Sequence, residues 1–376
     1  MKSLTKDRVL IIGGGVIGLS LAWELARRNQ QVELIESDPV IHPLASWAGA
    51  GILPPAATSA VVDPYEQLKQ LSYQLHPQWA DQLKADTGID TGFRQCGGIY
   101  LASSLAEQAT LLANEYWWQQ HEIAFQRLST NELSEREPGL AGSGTQRVRQ
   151  AWFLPGEYQV RNPRHLKALR SACQQLGVIF RTATVRQIDV DASQQATVCI
   201  DQGDHLNSDR ICICAGAWSR MLLEQLQLAN GIMPVRGQMV LYRSETPLVR
   251  HIINDGNRYL VPRDDGHLLA GSVEEEVGYC CETTETALQV IQQWACSVLP
   301  QLQDLAVINR WAGLRPGSFD SLPYLGAVPG TKNMFVAAGH FRSGLYLSCG
   351  TAVVMANLML GQPNTIDLWP FRPGRG

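Results

Sequence analysis

The chain has 376 residues, of which 45 % are hydrophobic and 18 % are charged, and its formal net charge is −4. This length and composition are typical of a globular protein with two cored domains, and they exclude an intrinsically disordered chain. The slightly negative charge gives no electrostatic basis for binding nucleic acid or an anionic membrane surface. Neither class of partner is therefore expected.

The nine cysteines and eight histidines are scattered along the chain. No C-x-x-C pair is present, Cys212 and Cys214 alternate along an apolar run, and the adjacent Cys280 and Cys281 have poor geometry for a disulfide. Because the number of thiols is odd, some thiol stays free, and we expect reduced cysteines and a cytoplasmic location. The histidine spacing matches no metal-ligand pattern, so no metal ion is expected.

The chain opens with a nucleotide-binding pattern. It begins with an apolar run at residues 9–12. Three glycines follow, Gly13, Gly15 and Gly18, and a helix starts among them at Val16 and Ile17. The pattern ends with an acid, Glu36. The first glycine permits a tight turn, the second lets backbone approach a pyrophosphate, and the third lets helix pack close to strand. The helix N-terminus offers N–H groups to phosphates, and the acid can accept hydrogen bonds from ribose hydroxyls. The pattern predicts an ADP-containing dinucleotide without distinguishing NAD from FAD.

Downstream of this motif the chain alternates between helical and extended patterns. A loop of small residues at 46–55, with Ser46, Ala48 and Gly49, suits close approach to a flat ligand, although an ordinary connector has the same composition. The further predicted elements are helices at 65–86, 162–176 and 284–299, strands at 177–181, 210–214 and 334–337, antiparallel β structure at 233–272, and a last helix from about residue 344. Turns at Ala215 and Gly216 and at 339–344 lead from strands into helices. The α/β pieces with β-rich insertions between them predict two discontinuous domains.

The last uncharged stretch, residues 343–361, is long enough to span a bilayer. It contains glycine, serine and asparagine and lacks flanking aromatic and basic anchors, which favours a buried helix. A helix N-terminus near Gly344 would stabilise negative charge on a ligand above the preceding strand. A plain strand–turn–helix unit remains the alternative.

Arg315 lies among apolar and small residues, directly before Pro316. Its planar guanidinium needs a partner, which is either a ligand carboxylate bound bidentately or a structural acid such as Asp320. Tyr259 is either a core residue or a second donor to that carboxylate. The acidic run of residues 274–276 is typical of a solvated surface.

Several of these motifs together resemble the D-amino acid oxidase-like FAD-dependent amine oxidases, over essentially the whole chain. The resemblance is closest to the glycine oxidases that serve thiamine synthesis, and it rests on the glycine motif with Glu36 and on residues 215–219, 259–263, 314–317 and 339–344. It implies an α/β fold in which a Rossmann-like FAD-binding domain (1–88, 150–225 and 306–376) joins a discontinuous, antiparallel β-rich substrate-binding domain (89–149 and 226–305). In this family the residue matching Arg315 binds the substrate carboxylate with help from the tyrosine matching Tyr259, and the arginine matching Arg342 lies beside the flavin.

The resemblance also implies a non-covalent FAD, since no cysteine occurs between Trp311 and Tyr324 where sarcosine oxidase relatives attach the flavin. The implied cofactor-binding residues are Gly13, Gly15, Val16, Ile17, Gly18, Glu36, Ser46, Ala48, Gly49, Val185, Ala215, Gly216, Trp218, Arg315, His340, Phe341, Arg342, Ser343, Gly344 and Leu345. Glu274 stands where some glycine oxidases have methionine, which leaves the preferred amine open.

The implied activity is oxidative deamination of glycine and other small amines to an imine, then glyoxylate and ammonia, with hydrogen peroxide produced from oxygen. Thiazole synthase and further copies of the chain are candidate partners. The alternatives are a sarcosine or small D-amino acid oxidase, a dehydrogenase that passes electrons to a quinone, an NAD-dependent dehydrogenase, and a non-catalytic nucleotide-binding protein.

Overall fold

A computed structural model describes residues 7–37, 45–140, 142–201 and 203–375. The predicted segment 1–88 therefore includes two stretches that lie outside the described residues. The strands are β1 (Arg8–Ile12), β2 (Gln31–Glu36), β3 (Ile52–Leu53), β4 (Arg94–Gln95), β5 (Gly98–Ala102), β6 (Gln126–Leu128), β7 (Gln150–Leu154), β8 (Tyr158–Gln159), β9 (Ile179–Thr182), β10 (Val185–Val190), β11 (Ala196–Ile200), β12 (His205–Asn207), β13 (Arg210–Ile213), β14 (Met233–Arg243), β15 (Ile252–Asp255), β16 (Arg258–Pro262), β17 (His267–Gly271), β18 (Val307–Gly317), β19 (Tyr324–Ala327) and β20 (Met334–Ala338).

The helices predicted at 65–86, 162–176 and 284–299 and from about residue 344 are confirmed to within one residue, and the structure adds short helices that were not predicted. The α-helices are α1 (Val16–Arg27), α2 (Ala45–Ala48), α3 (Pro64–Thr87), α4 (Leu105–Gln120), α5 (Thr130–Arg136), α6 (Ser143–Gln146), α7 (Asn162–Gln175), α8 (Ser219–Gln225), α9 (Glu285–Val298) and α10 (Gly344–Met359). The helix α3 is capped at its start by Asp63, whose carboxylate accepts from the backbone N–H groups of Tyr65 and Glu66, and at its end by Gly88 in the left-handed conformation.

The nucleotide motif lies at the centre of a six-stranded sheet with the order β19-β20-β13-β1-β2-β9. Its strands are parallel except for β19, which pairs antiparallel with β20. Because side chains alternate along β1, Val9 and Ile11 pack toward α1, α7 and α10, whereas Leu10 and Ile12 pack toward α8 and the sheet β10-β11-β12. This layered parallel sheet confirms the predicted Rossmann-like fold.

A second, eight-stranded sheet has the order β18-β14-β17-β16-β15-β5-β7-β6. Its pairs are antiparallel except for β15 with β5. One face packs against the amphipathic helix α9 through Leu288, Ile291 and Trp294. The other face carries Met239 and Tyr259 in a separate apolar cluster. The antiparallel β structure predicted at 233–272 is therefore confirmed.

Two strands pair outside the domain to which the sequence assigned them. β7 at 150–154 and β18 at 307–317 were assigned by sequence to the cofactor domain, but both hydrogen-bond into the eight-stranded sheet. Strand order depends on pairing between distant segments, which local apolar patterns do not report. The division into two domains remains a prediction.

The uncharged stretch near the C-terminus forms the buried helix that the sequence favoured. Leu347, Cys349 and Ala352 on α10 are inaccessible to solvent. At Gly350 an added Cβ would overlap with the Ser72 hydroxyl, which shows how closely α10 approaches α3. In the described part of the chain, no helix is long and apolar enough to cross a membrane.

Candidate functional site

A cavity of about 780 Å³ extends from the glycine turn after β1 to the face of the eight-stranded sheet. It lies at the carboxyl ends of β1, β13 and β20, where doubly wound sheets bind ligands, and its volume suits a large ligand. The structure brings all but one of the predicted site residues to its wall: Gly13, Gly15, Val16, Ile17, Glu36, Ser46, Ala48, Gly49, Val185, Ala215, Gly216, Trp218, Tyr259, Arg315, His340, Phe341, Arg342, Ser343, Gly344 and Leu345. Gly18 is the exception and lies beneath the turn.

The glycine turn has the conformation that its sequence requires. Gly13 has φ of +111°, and an added Cβ there would overlap with the carbonyl of Cys214, which directly follows β13. At Gly18 a Cβ would overlap with the Gly13 carbonyl, so this glycine lets α1 pack against β1. The helix α1 begins at Gly15 without a side-chain cap. These features leave room and backbone N–H groups for a pyrophosphate.

Glu36 at the end of β2 presents a carboxylate to the nucleotide end of the cavity. Burial raises its pKa to about 7, and the hydrogen bond from the Gly14 N–H to its Oε2 only partly offsets this effect. A buried carboxylate of this kind is stabilised by hydroxyl donors. The ribose of an ADP moiety supplies such donors, so the residues present fit FAD at this end.

The small-residue loop after β2 is held against α1 and α7. The Ser46 hydroxyl accepts a hydrogen bond of 2.9 Å from the Val16 N–H, and the Asn162 amide donates to the Ser46 carbonyl at 2.7 Å. Further along, the buried Arg263 donates to the Ala50 carbonyl at 2.8 Å. These contacts position the loop as a wall of the cavity, and Arg263 is a structural residue to which the sequence assigned no role.

The turn at 339–345 lies at the opposite wall. His340 is buried and shares a hydrogen bond of 3.1 Å with the Thr351 hydroxyl, and burial lowers its pKa to about 3, so the ring is neutral at pH 7. The helix α10 begins after Ser343 without a side-chain cap, and Ser343, Gly344 and Leu345 line the cavity. The predicted helix N-terminus therefore faces the ligand space.

Arg315 lies on β18 with its guanidinium across Gly237 of β14. Its Nη1 donates to the Val273 carbonyl at 3.0 Å and its Nη2 to the Ser272 hydroxyl at 2.5 Å. Any side chain at Gly237 would overlap with the guanidinium. Both acceptors are uncharged, and these two hydrogen bonds hold the guanidinium in place.

The structural alternative for Arg315 was an ion pair with Asp320, and it is wrong. Asp320 is paired instead with Arg375, through two hydrogen bonds of 2.8 and 3.1 Å. Asp320 lies in the turn after β18, where the chain has left the strand that carries Arg315. Within the described residues Arg315 makes no ion pair shorter than 4.0 Å, so the cavity wall carries a positive charge without a protein counter-ion.

A row of residues crosses the eight-stranded sheet, and four of them, Tyr100, Asn254, Tyr259 and Met239, line the cavity. Consecutive strands pair its members one with the next: Tyr100, Asn254, Tyr259, Gly271, Met239 and Trp311. The Tyr259 hydroxyl lies 3.5 Å from the Met239 sulfur, and an added Cβ at Gly271 would overlap with that sulfur. Tyr259 is therefore buried and also lines the cavity, and its role as a donor to a ligand carboxylate stays a prediction.

The sequence analysis missed Tyr100 and Asn254, and it missed the buried Glu157 behind them. The Tyr100 hydroxyl donates to Glu157, and the Asn254 amide donates to Glu157 at 3.0 Å. Burial raises the pKa of Glu157 to about 7. An acid between two strands lacks a local signature; the signal that could have found it is Gly98, where any side chain would overlap with the Glu157 carboxylate.

The acidic run at 274–276 was predicted to be a solvated surface, which holds for the exposed Glu274 and Glu276 but is wrong for Glu275. Glu274 accepts a hydrogen bond of 3.0 Å from Arg342, which also donates to Asn257 at 3.2 Å. Glu275 is bound by the buried Arg236 at 3.0 Å and extends the sheet through a backbone bridge to that residue. Both arginines come from distant elements, so the run could not reveal its partners.

Comparison with known proteins agrees with this geometry. The family model described as FAD dependent oxidoreductase (DAO) matches residues 8–358. Glycine oxidase of Pseudomonas aeruginosa is 34 % identical over 369 residues, covering 98 % of this chain and 98 % of that protein. The bifunctional protein ThiO/ThiG of Synechocystis is 32 % identical, covering 99 % of this chain and 54 % of that protein. The crystal structure of glycine oxidase from Geobacillus kaustophilus matches with a TM-score of 0.91 and 30 % identity, covering 99 % of this chain and 100 % of that one. The chain belongs to the DAO family of FAD-dependent oxidoreductases.

Proposed function

We propose that this FAD-dependent enzyme oxidises small amino acids, with glycine as the preferred substrate and oxygen as the electron acceptor. In the balanced reaction, glycine, oxygen and water give glyoxylate, ammonia and hydrogen peroxide. The observation that carries the proposal is the Arg315 guanidinium, which lines the cavity and whose hydrogen-bond acceptors among the described residues are neutral. A substrate carboxylate would supply the missing negative charge.

The residues around Arg315 would bind and orient the substrate. The Ser272 hydroxyl and the Val273 carbonyl hold the Arg315 guanidinium before the substrate arrives, so this side chain needs little further ordering when the substrate binds. The missing side chain at Gly237 lets the Arg315 guanidinium lie flat against the sheet, and the one at Gly271 does the same for the Met239 sulfur. Tyr259, which also lines the cavity, would donate a second hydrogen bond to the carboxylate.

When bound, the flavin supplies the two-electron oxidation of the amine carbon. The chain's own residues provide no carboxylate for proton abstraction at the substrate end, since among the described residues that line the cavity the acid is Glu36 at the nucleotide end. His340 is neutral and engaged by Thr351. This supports a reaction in which the substrate enters as the free amine and no side chain removes a proton from carbon.

The direct test measures peroxide formation by the purified yellow holoprotein with glycine, sarcosine, D-alanine and L-alanine. Glycine is expected to have the highest kcat/KM, and L-alanine serves as the control for enantiomer discrimination. Highest activity with sarcosine or D-alanine would replace glycine by another substrate of the same fold. Dye reduction without peroxide in air would contradict the oxidase assignment and favour a dehydrogenase.

We further propose that the imine product serves thiazole synthesis in the cytoplasm. The support is that the chain spans only about half of a bifunctional protein, ThiO/ThiG, and that its nine cysteines are all free thiols. Thiazole formation from glycine by this enzyme with thiazole synthase should fall when Arg315→Ala replaces the wild type. An equal thiazole yield would contradict the link.

A further inference from the structure

The three-stranded sheet β10-β11-β12 has two different faces. Ile188, Val198 and Ile200 point into the core beneath the six-stranded sheet. Because side chains alternate, the opposite face carries Asp189 on β10, Cys199 on β11 and His205 on β12. Cys199 and His205 are directly paired across the two strands, and Asp189 lies diagonally opposite Cys199 on the third.

The three side chains converge on one point. The Cys199 sulfur is 3.2 Å from His205 Nδ1 and 3.2 Å from Asp189 Oδ2, and all three ligand atoms lie within 4.8 Å of one another. In a tetrahedral zinc site, bond lengths of about 2.0 to 2.3 Å separate neighbouring ligand atoms by about 3.3 to 3.5 Å. The two distances from the sulfur are within a few tenths of an ångström of these values, and the imidazole and the carboxylate, at most 4.8 Å apart, would approach each other by up to about 1.5 Å on binding an ion. We propose that Asp189, Cys199 and His205 bind a divalent transition-metal ion of the zinc class.

The donor set selects among metals. One thiolate, one imidazole and one carboxylate suit zinc, whereas calcium and magnesium require six or more oxygen ligands. Asp189 and His205 are exposed and Cys199 is half-buried, so a water molecule can occupy the fourth position. The amide of Gln187 donates to Asp189 Oδ1 at 2.5 Å, which leaves Oδ2 directed at the sulfur and orients the carboxylate as metal sites require.

Metal binding exchanges one proton for the ion. Without the ion, the Cys199 thiol donates a hydrogen bond to the Asp189 carboxylate. Binding of Zn²⁺ breaks the S–H bond, forms the Zn–S bond and releases the proton to solvent, with no change of oxidation state. Binding should therefore weaken as the pH falls.

The location makes the site structural. Val185, at the start of β10, lines the cofactor cavity, and Asp189 lies four residues further along the same strand, about 13 Å away. A metal at Asp189 is thus outside reach of the substrate. It would tie three strands together on the layer that packs against β1, and so stabilise the folded holoenzyme.

The test uses the FAD-loaded enzyme after dialysis against a chelator. Zn²⁺ affinity is measured by competition with a chromophoric chelator, and Co²⁺ replaces Zn²⁺ as the spectroscopic probe. Wild type should bind one equivalent, show a thiolate-to-cobalt charge-transfer band and gain thermal stability with Zn²⁺. Cys199→Ser and Asp189→Asn should bind at least tenfold more weakly, and Cys199→Ser should lose the band.

The matched control is Cys280→Ser, which removes an exposed thiol elsewhere on the chain. It should retain the metal affinity and the cobalt band of wild type, and flavin absorbance should report equal folding of all variants. Equal Zn²⁺ affinity in wild type and Cys199→Ser, or a cobalt spectrum without a thiolate band, would overturn the proposal.

Discussion

Replacing Arg315 by alanine removes the positive charge that faces the substrate end of the cavity. The Ser272 hydroxyl and the Val273 carbonyl, which now accept its hydrogen bonds, would be left to water in the enlarged cavity. The glycine turn after β1 and Glu36 lie at the other end, so the residues around the nucleotide should be unaffected. The change therefore separates substrate binding from FAD binding.

The size of the effect follows from the hydrogen bonds that the guanidinium would make to a substrate carboxylate. A hydrogen bond to a charged group contributes about 1.5 to 3 kcal/mol, and a bidentate carboxylate makes two. The guanidinium is only half-buried, and water replaces part of this interaction, so we expect a net loss of about 3 to 4 kcal/mol in transition-state stabilisation. Since about 1.4 kcal/mol corresponds to a factor of ten, kcat/KM for glycine should fall about 100- to 1000-fold.

Steady-state peroxide formation over a range of glycine concentrations measures this effect, with flavin absorbance as the measure of retained cofactor. Most of the loss should be in KM. The matched control is Arg310→Ala, because Arg310 lies on the same strand but is exposed and makes only a loose ion pair of 3.7 Å with Glu285. A KM for Arg315→Ala within threefold of wild type, with the flavin retained, would refute the role of this arginine.

Four further changes test individual parts of the site. Glu36→Gln should weaken FAD binding about tenfold, because one hydrogen bond to a charged acceptor is lost. Gly237→Ala should displace the Arg315 guanidinium and raise KM for glycine about tenfold or more while the flavin stays bound. Burial raises the pKa of Glu157 from 4.5 to about 7, so its protonated form stabilises the fold fully below pH 4.5 and this stability is lost as the pH rises through 7. Wild type should thus lose about 2 to 3 kcal/mol between pH 5 and pH 9 that Glu157→Gln does not lose. Glu274→Ala should change the free energy of unfolding by less than about 1 kcal/mol, since its ion pair with the turn at 339–345 is half-exposed.

Each of these changes has a separate readout. Flavin fluorescence titration measures FAD affinity for Glu36→Gln, and wild-type affinity would contradict the assigned ribose contact. Peroxide kinetics report on Gly237→Ala, for which an unchanged KM would show that the guanidinium tolerates displacement. Urea unfolding at several pH values reports on Glu157 and Glu274; parallel pH profiles for wild type and Glu157→Gln would rule out the buried acid as the source of the slope.

The sequence predicted the local structure around the glycine turn, because the signals for it are local. The turn at Gly13, the helix that begins after Gly15 and the acid at Glu36 lie within one strand–helix–strand unit, and each is required by backbone geometry at its own position. The last helix was likewise predicted from its own composition. Their placement around one cavity followed from the parallel sheet.

The substrate end depended on contacts between distant segments. Arg315 could be singled out by its apolar surroundings, but its partners Ser272 and Val273 come from a loop more than forty residues earlier. The pairing of Glu274 with Arg342 joins segments 68 residues apart. The register between paired strands brings these residues together, and that register could not be inferred from the single sequence.

The same reason hid the cluster of Asp189, Cys199 and His205. Its members are separated by ten and six residues along the chain, which matches no metal-binding motif. Only the pairing of three strands brings them to one point. The absence of a metal pattern in the histidine spacing was therefore no guide to this face of the sheet.

The central claim is that this chain uses a bound flavin to oxidise glycine held by Arg315. The most direct measurement is the visible absorption spectrum of the purified holoenzyme before and after glycine is added without oxygen. The oxidised flavin bands should bleach in wild type, return when air is admitted, and persist in Arg315→Ala at the same glycine concentration. Bands that persist in the wild type at saturating glycine, or bleach equally in both proteins, would contradict the account.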